Sequence, residues 1–135
     1  MSSGLVKGLV HTKRFVVKEE HAASHLGSGD VAVLSTPSMI LFMESTALEL
    51  AQKYLPEGKT TVGVGVDVRH LRAAPIGAEV EVRAELLSVD GRRLLFWVEA
   101  WWNGKKIGHG VHERAIVDRE EFLAKLREEL GRKKG

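Results

Sequence analysis

Three side chains stand where packing alone explains them poorly: Glu44, His70 and Thr36. Glu44 follows Met39-Ile40-Leu41-Phe42-Met43, a run with no polar side chain. An ionised carboxylate buried in such a segment costs several kcal/mol unless it is paired or hydrogen-bonded. Held there, it would serve as a general base or a nucleophile. The plainer reading puts it on a narrow polar stripe that reaches solvent. His70 follows Val62, Val64, Val66 and Val68 in alternation, which aims it from the helix-facing side of a strand end. An imidazole directed at a helix that carries a carboxylate makes an acid/base pair, whereas a core histidine bonded to a backbone carbonyl is the bland alternative. Thr36 is explained by helix capping on its own. A helix N-terminus nevertheless collects N–H groups and positive dipole, which favour an oxyanion or a phosphate.

Other residues carry weaker signals. Gly63 and Gly65 weaken a strand unless a ligand or a second subunit comes close to the backbone; a bulge explains them equally well. His109 and His112 are three apart and point to opposite faces of a strand, so a metal pair is not expected. Arg114 is either a surface ion-pair partner or a charge at the mouth of a site.

The elements that must position these residues can be read from periodicity. Residues 8–18 form a first strand with Phe15 and Val17 on one face. A loop follows over 19–34, broken by Gly27-Ser28-Gly29-Asp30. Ser35-Thr36-Pro37 starts a helix, with Thr36 as cap and Pro37 at the first helical position. The helix over 38–54 is apolar almost all round in its first half, as expected of a helix that other elements surround, and Pro56 with Gly58 ends it. Beyond Thr60 the period is two. Val62 to Val68 share one face, Val80, Val82, Ala84 and Leu86 another, and Asp90-Gly91 and Asn103-Gly104 supply hairpin turns into strands over 94–102 and 106–117. Asp118-x-x-Glu121 opens a short C-terminal helix expected to end before Gly131, and Arg132-Lys133-Lys134 reads as a solvated tail. A strand, one buried helix and then four long antiparallel strands predict an α+β hot-dog fold, with a curved sheet wrapped round a central helix.

Composition bounds the function. With 135 residues the chain is one domain, 1–135. It has no cysteine, which removes disulfides, thiol nucleophiles and cysteine-ligated zinc. No run of residues reaches the roughly 20 of a membrane span, and no signal-peptide core is present, so the expected location is cytoplasmic. The Lys and Arg residues are scattered and the net charge is +2, which gives no nucleic-acid groove. Asn103 and Gln52 are the sole side-chain amides, a composition in keeping with a thermophilic source.

The pattern Ser35-Thr36-Pro37-x-Met39-x-x-x-Met43-Glu44, with Val62-Gly63-Val64-Gly65-Val66-x-Val68-x-His70-x-x-Ala73-Ala74-Pro75-x-Gly77, Asp90-Gly91-Arg92-Arg93-Leu94 and Gly108-x-Gly110-x-His112-Glu113-Arg114-Ala115, resembles the fluoroacetyl-CoA-thioesterase-like branch of the hot-dog superfamily over nearly the whole chain. The intervals agree as well, with eight residues from Thr36 to Glu44 and 26 from Glu44 to His70. The resemblance implies a homodimeric acyl-CoA thioesterase without a cofactor, CoA being part of the substrate, whose site lies close to the subunit interface. It places the catalytic threonine, glutamate and histidine on Thr36, Glu44 and His70, a site glycine on Gly63, and an arginine near the acyl end on Arg114. The fluoroacetyl-specific pattern has a longer, phenylalanine-bearing lid before its threonine; here His21–Leu34 is short and has none, so a general short-chain acyl-CoA is expected. The same fold carries enoyl-thioester hydratases and dehydratases and could also serve as a non-catalytic acyl-CoA-binding module.

Overall fold

The computed structural model describes residues 4–134. Five antiparallel strands, β1 (Val10–Val16), β2 (Lys59–His70), β3 (Glu79–Asp90), β4 (Arg93–Trp102) and β5 (Lys105–Asp118), form one sheet in the order β1-β3-β4-β5-β2. The sheet curls round α2 (Thr36–Gln52) in the expected hot-dog arrangement, and α3 (Arg119–Lys134) follows β5 directly. Met39, Phe42, Met43, Ala47 and Leu50 of α2 pack against Val80, Val82, Ala84 and Leu86 of β3 and Leu94, Phe96, Val98 and Ala100 of β4, all within the buried core. The alternation of buried and open residues in β3 and β4 is the period-two pattern legible in their sequences. The loop before α2 contains a 3-10 turn, Glu19–His21, and a one-turn helix α1, Ala23–Leu26.

Several expectations change. Ser35, not Thr36, is the N-cap of α2: its backbone is extended and its side-chain oxygen accepts the Ser38 N–H at 3.0 Å. Thr36 is therefore the first helical residue and Pro37 the second. α2 is also not enclosed on every side within one chain. Its buried residues recur at three- and four-residue intervals along one face, while Leu41 is 54% exposed and Ile40, Glu44, Ser45 and Leu48 are only half-covered. Finally, α3 continues through Gly131 to Lys134, so the basic cluster belongs to its last turn rather than to a tail. Its start is capped as expected, with the Glu121 N–H donating to the Asp118 carboxylate at 3.0 Å.

The largest departure is in β2. Its pairing with β5 shifts between Gly63 and Gly65, so Val64 is an extra, bulged residue. A bulge reverses the facing of everything beyond it. Thr61 and Gly63 face α2, Val62 faces outward opposite Ala115, and Val66, Val68 and His70 face inward opposite His112, Gly110 and Gly108. The four valines do not form one wall, yet His70 still ends on the helix side.

Candidate active site

At the N-terminal end of α2 the Thr36 hydroxyl lies 2.8 Å from His70 Nδ1. The local sequence makes this contact available. Because Ser35 takes the capping role, the Thr36 side chain is released from the backbone and turns to the strand end. Of the donors at the helix start, Pro37 has no N–H, the Ser38 N–H goes to the Ser35 side chain and the Met39 N–H to the Ser35 carbonyl, which leaves the N–H of Thr36 itself. Burial pushes the His70 imidazole below its ordinary pKa, partly offset by the backbone at Arg72. A neutral ring with Nδ1 unprotonated accepts the Thr36 proton. The other nitrogen, Nε2, is buried and has no hydrogen-bond partner among the described residues. The pair lies in a hollow of about 270 Å³ bounded by Val33, Leu34, Leu71 and Ala73.

Two turns further along α2, Glu44 meets a second group of side chains. Its carboxylate oxygen Oε2 is 4.0 Å from Arg114 Nη1, and it sits directly under Gly63, where an added Cβ would come within 2.9 Å of it. Arg114 is buried and tightly held. Nε donates to the Thr61 hydroxyl at 2.7 Å, Nη2 to the Thr61 carbonyl at 3.0 Å and Nη1 to His112 Nε2 at 3.0 Å. A guanidinium only donates, so His112 Nε2 is an acceptor and the ring proton must be on Nδ1. That proton is given to the Gly65 carbonyl at 2.8 Å, a group presented by the bulge. His112 is thus neutral and fixed in one tautomer. Burial pushes its pKa down, the Gly65 carbonyl opposes this, and the Arg114 charge lowers it further. Arg114 is itself lowered by burial with Glu44 opposing, and stays charged. The result is a desolvated cation facing a carboxylate whose own side chain is 41% exposed.

The expected site residues therefore fall into two clusters. Thr36 meets His70, and Glu44 meets Arg114 and Gly63. The eight-residue interval between Thr36 and Glu44 spans about 12 Å of helix axis, which keeps Glu44 away from His70 within one chain. Glu44 is neither fully buried nor merely solvated: it lies on the uncovered stripe of α2, with its oxygen turned under the sheet. The bulge reading of the glycines holds, and the group that comes close to Gly63 is the chain's own Glu44 carboxylate rather than a ligand or a second subunit. Arg114 is an interior charge, not a surface partner. His109 is on the outer face against Trp97, as the spacing from His112 required.

Sequence reasoning missed Ser35, Thr61 and His112 as parts of the site. His112 and Arg114 are two apart on one strand and so must share a face, a signal present in the sequence. Thr61 was hidden by the bulge, which puts the threonine rather than Val62 on the inside. Among the described residues no group of three or more His, Asp or Glu side chains is arranged to hold a metal, and no helix is long and apolar enough to cross a membrane.

A family model described as fluoroacetyl-CoA-specific thioesterase matches residues 17–120. The chain is 37% identical over 134 residues to the fluoroacetyl-CoA thioesterase of Streptantibioticus cattleyicolor, covering 95% of this chain and 96% of that protein. A solved structure of a point mutant of the fluoroacetyl-CoA-specific thioesterase, in complex with fluoroacetate and CoA, superposes with a TM-score of 0.83 at 35% identity, covering 87% of this chain and 99% of that one. A Thermus thermophilus hypothetical protein of the thioesterase superfamily superposes with a TM-score of 0.89 at 28% identity, covering 98% of both chains.

Proposed function

This chain belongs to the fluoroacetyl-CoA-specific thioesterase family, and on that footing we propose that it hydrolyses a small acyl-CoA to free acid and CoA at a site shared between two copies. The observation that carries this reading is the separation of the reactive groups along β2. Thr36 and His70 lie at its C-terminal end, Glu44 and Arg114 beside Gly63 in its first half, and the strand between them is an open edge. Gly63–Asp67 is exposed throughout, with Val64 and Val66 at 45% and 46%. An open apolar edge invites pairing with a second strand. Antiparallel pairing of β2 with its own copy about a two-fold axis in this stretch runs the His70 end of one protomer toward the Glu44 end of the other. The half-covered stripe of α2, including Leu41, faces the same partner.

In the completed site the acyl carbonyl lies between the clusters. Glu44 takes a proton from water as the water oxygen attacks the carbonyl carbon, or attacks that carbon itself to give an anhydride that water then opens. In both cases the C–S bond breaks, and the proton that the attacking water gives up passes by way of the neutral His70 to the departing thiolate. Thr36, held by His70, orients the attacking group, and its backbone N–H stands at the helix start where negative charge is favoured. Arg114, fixed by Thr61 and His112, faces the Glu44 carboxylate at 4.0 Å and closes the acyl end. The short His21–Leu34 segment without phenylalanine supports short acyl groups in general rather than fluoroacetyl alone. The scheme uses no metal or cofactor.

The test is release of free thiol from a series of acyl-CoAs of increasing chain length, with Glu44→Ala and His70→Ala alongside. Rates that fall with chain length and collapse in both variants are expected. Wild-type rates in both variants refute the site, and water addition to an enoyl-CoA without thiol release refutes hydrolysis.

A further inference from the structure

We propose that the apolar stripe of α3 is an interaction surface for a second copy of this chain, and that it lies across the rim of the partner's Thr36–His70 hollow. The inference rests on the shared-site reading and adds α3 to that site.

Nothing within one chain covers α3. Phe122, Leu123, Leu126 and Leu130 fall on one side of the helix, yet they are 38%, 42%, 48% and 57% exposed. Every residue from Arg119 to Arg132 is exposed. A helix of 16 residues is marginal in water on propensity alone and is ordinarily held by burying such a stripe. The chain's own sheet meets only its first turn, where Phe122 borders a hollow of about 240 Å³ with Lys59, Ile116 and Val117. Exposure then rises along the stripe as the helix leaves the sheet.

The place where α3 starts selects the occupant. The Arg119 N–H donates to the Gly58 carbonyl at 2.9 Å and Asp118 pairs with Lys59, so α3 begins beside the N-terminal end of β2. Leu71 of the same chain lies beyond the far end of that 12-residue strand, about 40 Å away. Antiparallel pairing of β2 with its copy reverses the order. With the two-fold axis at Gly65, the middle of the open stretch, Lys59 stands opposite the partner's Leu71. Leu71 lines the Thr36–His70 hollow and is 52% exposed, and Val31, which leads into the Val33 wall, is 63% exposed. These are the apolar groups that the α3 stripe would cover. Charge agrees with this placement: Arg72 on the same rim and Glu129 at the border of the stripe have no ion-pair partner among the described residues. Docked there, α3 of each protomer covers the hollow that the other leaves open to water.

The chain has no cysteine, so an engineered disulfide forms without background. Such a bond needs Cα atoms within about 7 Å. Mildly oxidised Leu71→Cys/Leu126→Cys should run as a covalent dimer, and neither single variant should do so. Linkage in Leu126→Cys alone equal to that of the pair would mean that α3 packs on α3, and overturns the inference. A protein that sediments as a dimer and gives no linkage in the pair overturns it as well. With cysteine absent, Leu123→Ser/Leu126→Ser/Leu130→Ser should remain a dimer, because β2 is untouched, and should lose about tenfold or more in kcat/KM for acetyl-CoA. An unchanged kcat/KM overturns the covering role. A wild-type protein that sediments as the protomer removes the shared-site reading and the docking with it. A linked dimer whose wild-type parent releases no thiol from any acyl-CoA removes the thioesterase reading alone.

Discussion

Gly63→Ala separates the chemistry of Glu44 from the stability of the fold. The added Cβ would stand 2.9 Å from Glu44 Oε2, 3.4 Å from His112 Cε1 and 3.5 Å from Arg114 Nη1. Only the first is closer than carbon and oxygen tolerate, and the offending atom is the tip of a flexible side chain. Gly63 does not occupy a left-handed conformation, so alanine is allowed by the backbone. The carboxylate must retreat by about half an ångström toward the open face of α2. A misplacement of about 1 Å at a reacting group costs on the order of 10²-fold, so roughly tenfold is expected in kcat/KM for acetyl-CoA. Stability should move by less than about 1 kcal/mol, because the retreat is partly offset by the lower chain entropy of alanine in a strand. That is a shift of only a few degrees in Tm for a chain of this size. Thiol release and a thermal melt on the same preparation read both quantities. Full activity with an unchanged melt would show that Glu44 is not confined by Gly63. A collapse of Tm would show that the glycine serves the strand, not the carboxylate.

Four further outcomes follow from the same geometry. His112→Leu leaves Arg114 Nη1 and the Gly65 carbonyl unpaired, and should cost about 2–4 kcal/mol in stability together with most of the activity. His112→Gln, which can still accept from Arg114, should recover activity relative to leucine; equal activities would show that the acceptor is irrelevant. Ser35→Ala removes the cap and should lower stability by about 1 kcal/mol, whereas Thr36→Ala should spare stability and lower kcat; chemical denaturation of both tests the reassignment of the cap. His70 and His112 are both depressed below the ordinary histidine value of 6.5. The unfolded chain then binds protons that the folded chain does not, so stability is fully present above about pH 6.5 and is lost as pH falls from there through the depressed folded values. The acid limb of kcat should likewise lie below pH 6.5, and a limb at or above that value would contradict a neutral, buried His70. Val66→Asp on the open edge of β2 should give a protomer-sized species in sedimentation with little thiol release; a fully active monomer would remove the shared site.

The architecture was legible because its elements obey simple periods. Alternation gave β3 and β4 with their inward residues, the Asp90-Gly91 and Asn103-Gly104 turns fixed the hairpins, and Pro37 with the apolar run marked α2. β2 was misread where one extra residue reverses the face, since Val62 to Val68 look perfectly regular as a string. The cap was placed on Thr36, one residue too late, because Ser35 carries the same kind of hydroxyl and only the backbone geometry puts the cap there. Glu44 was conspicuous because a charge interrupts an apolar run. His112 and Thr61 were inconspicuous because each is ordinary alone and acquires a role only through the Arg114 guanidinium that both hold.

The shared site is tested most directly by mixing two dead proteins. If the protein is the proposed dimer, Glu44→Ala and His70→Ala proteins should each be inactive. Refolded together in equal amounts, half of the dimers carry one chain of each kind. If Glu44 of one protomer serves the Thr36–His70 pair of the other, one of the two sites in each mixed dimer is intact, and about a quarter of wild-type thiol release returns. If each protomer used its own Glu44 with its own His70, every site would lack one group and no activity would return. A recovery near one quarter is the predicted result, and none despite demonstrated mixed dimers contradicts it.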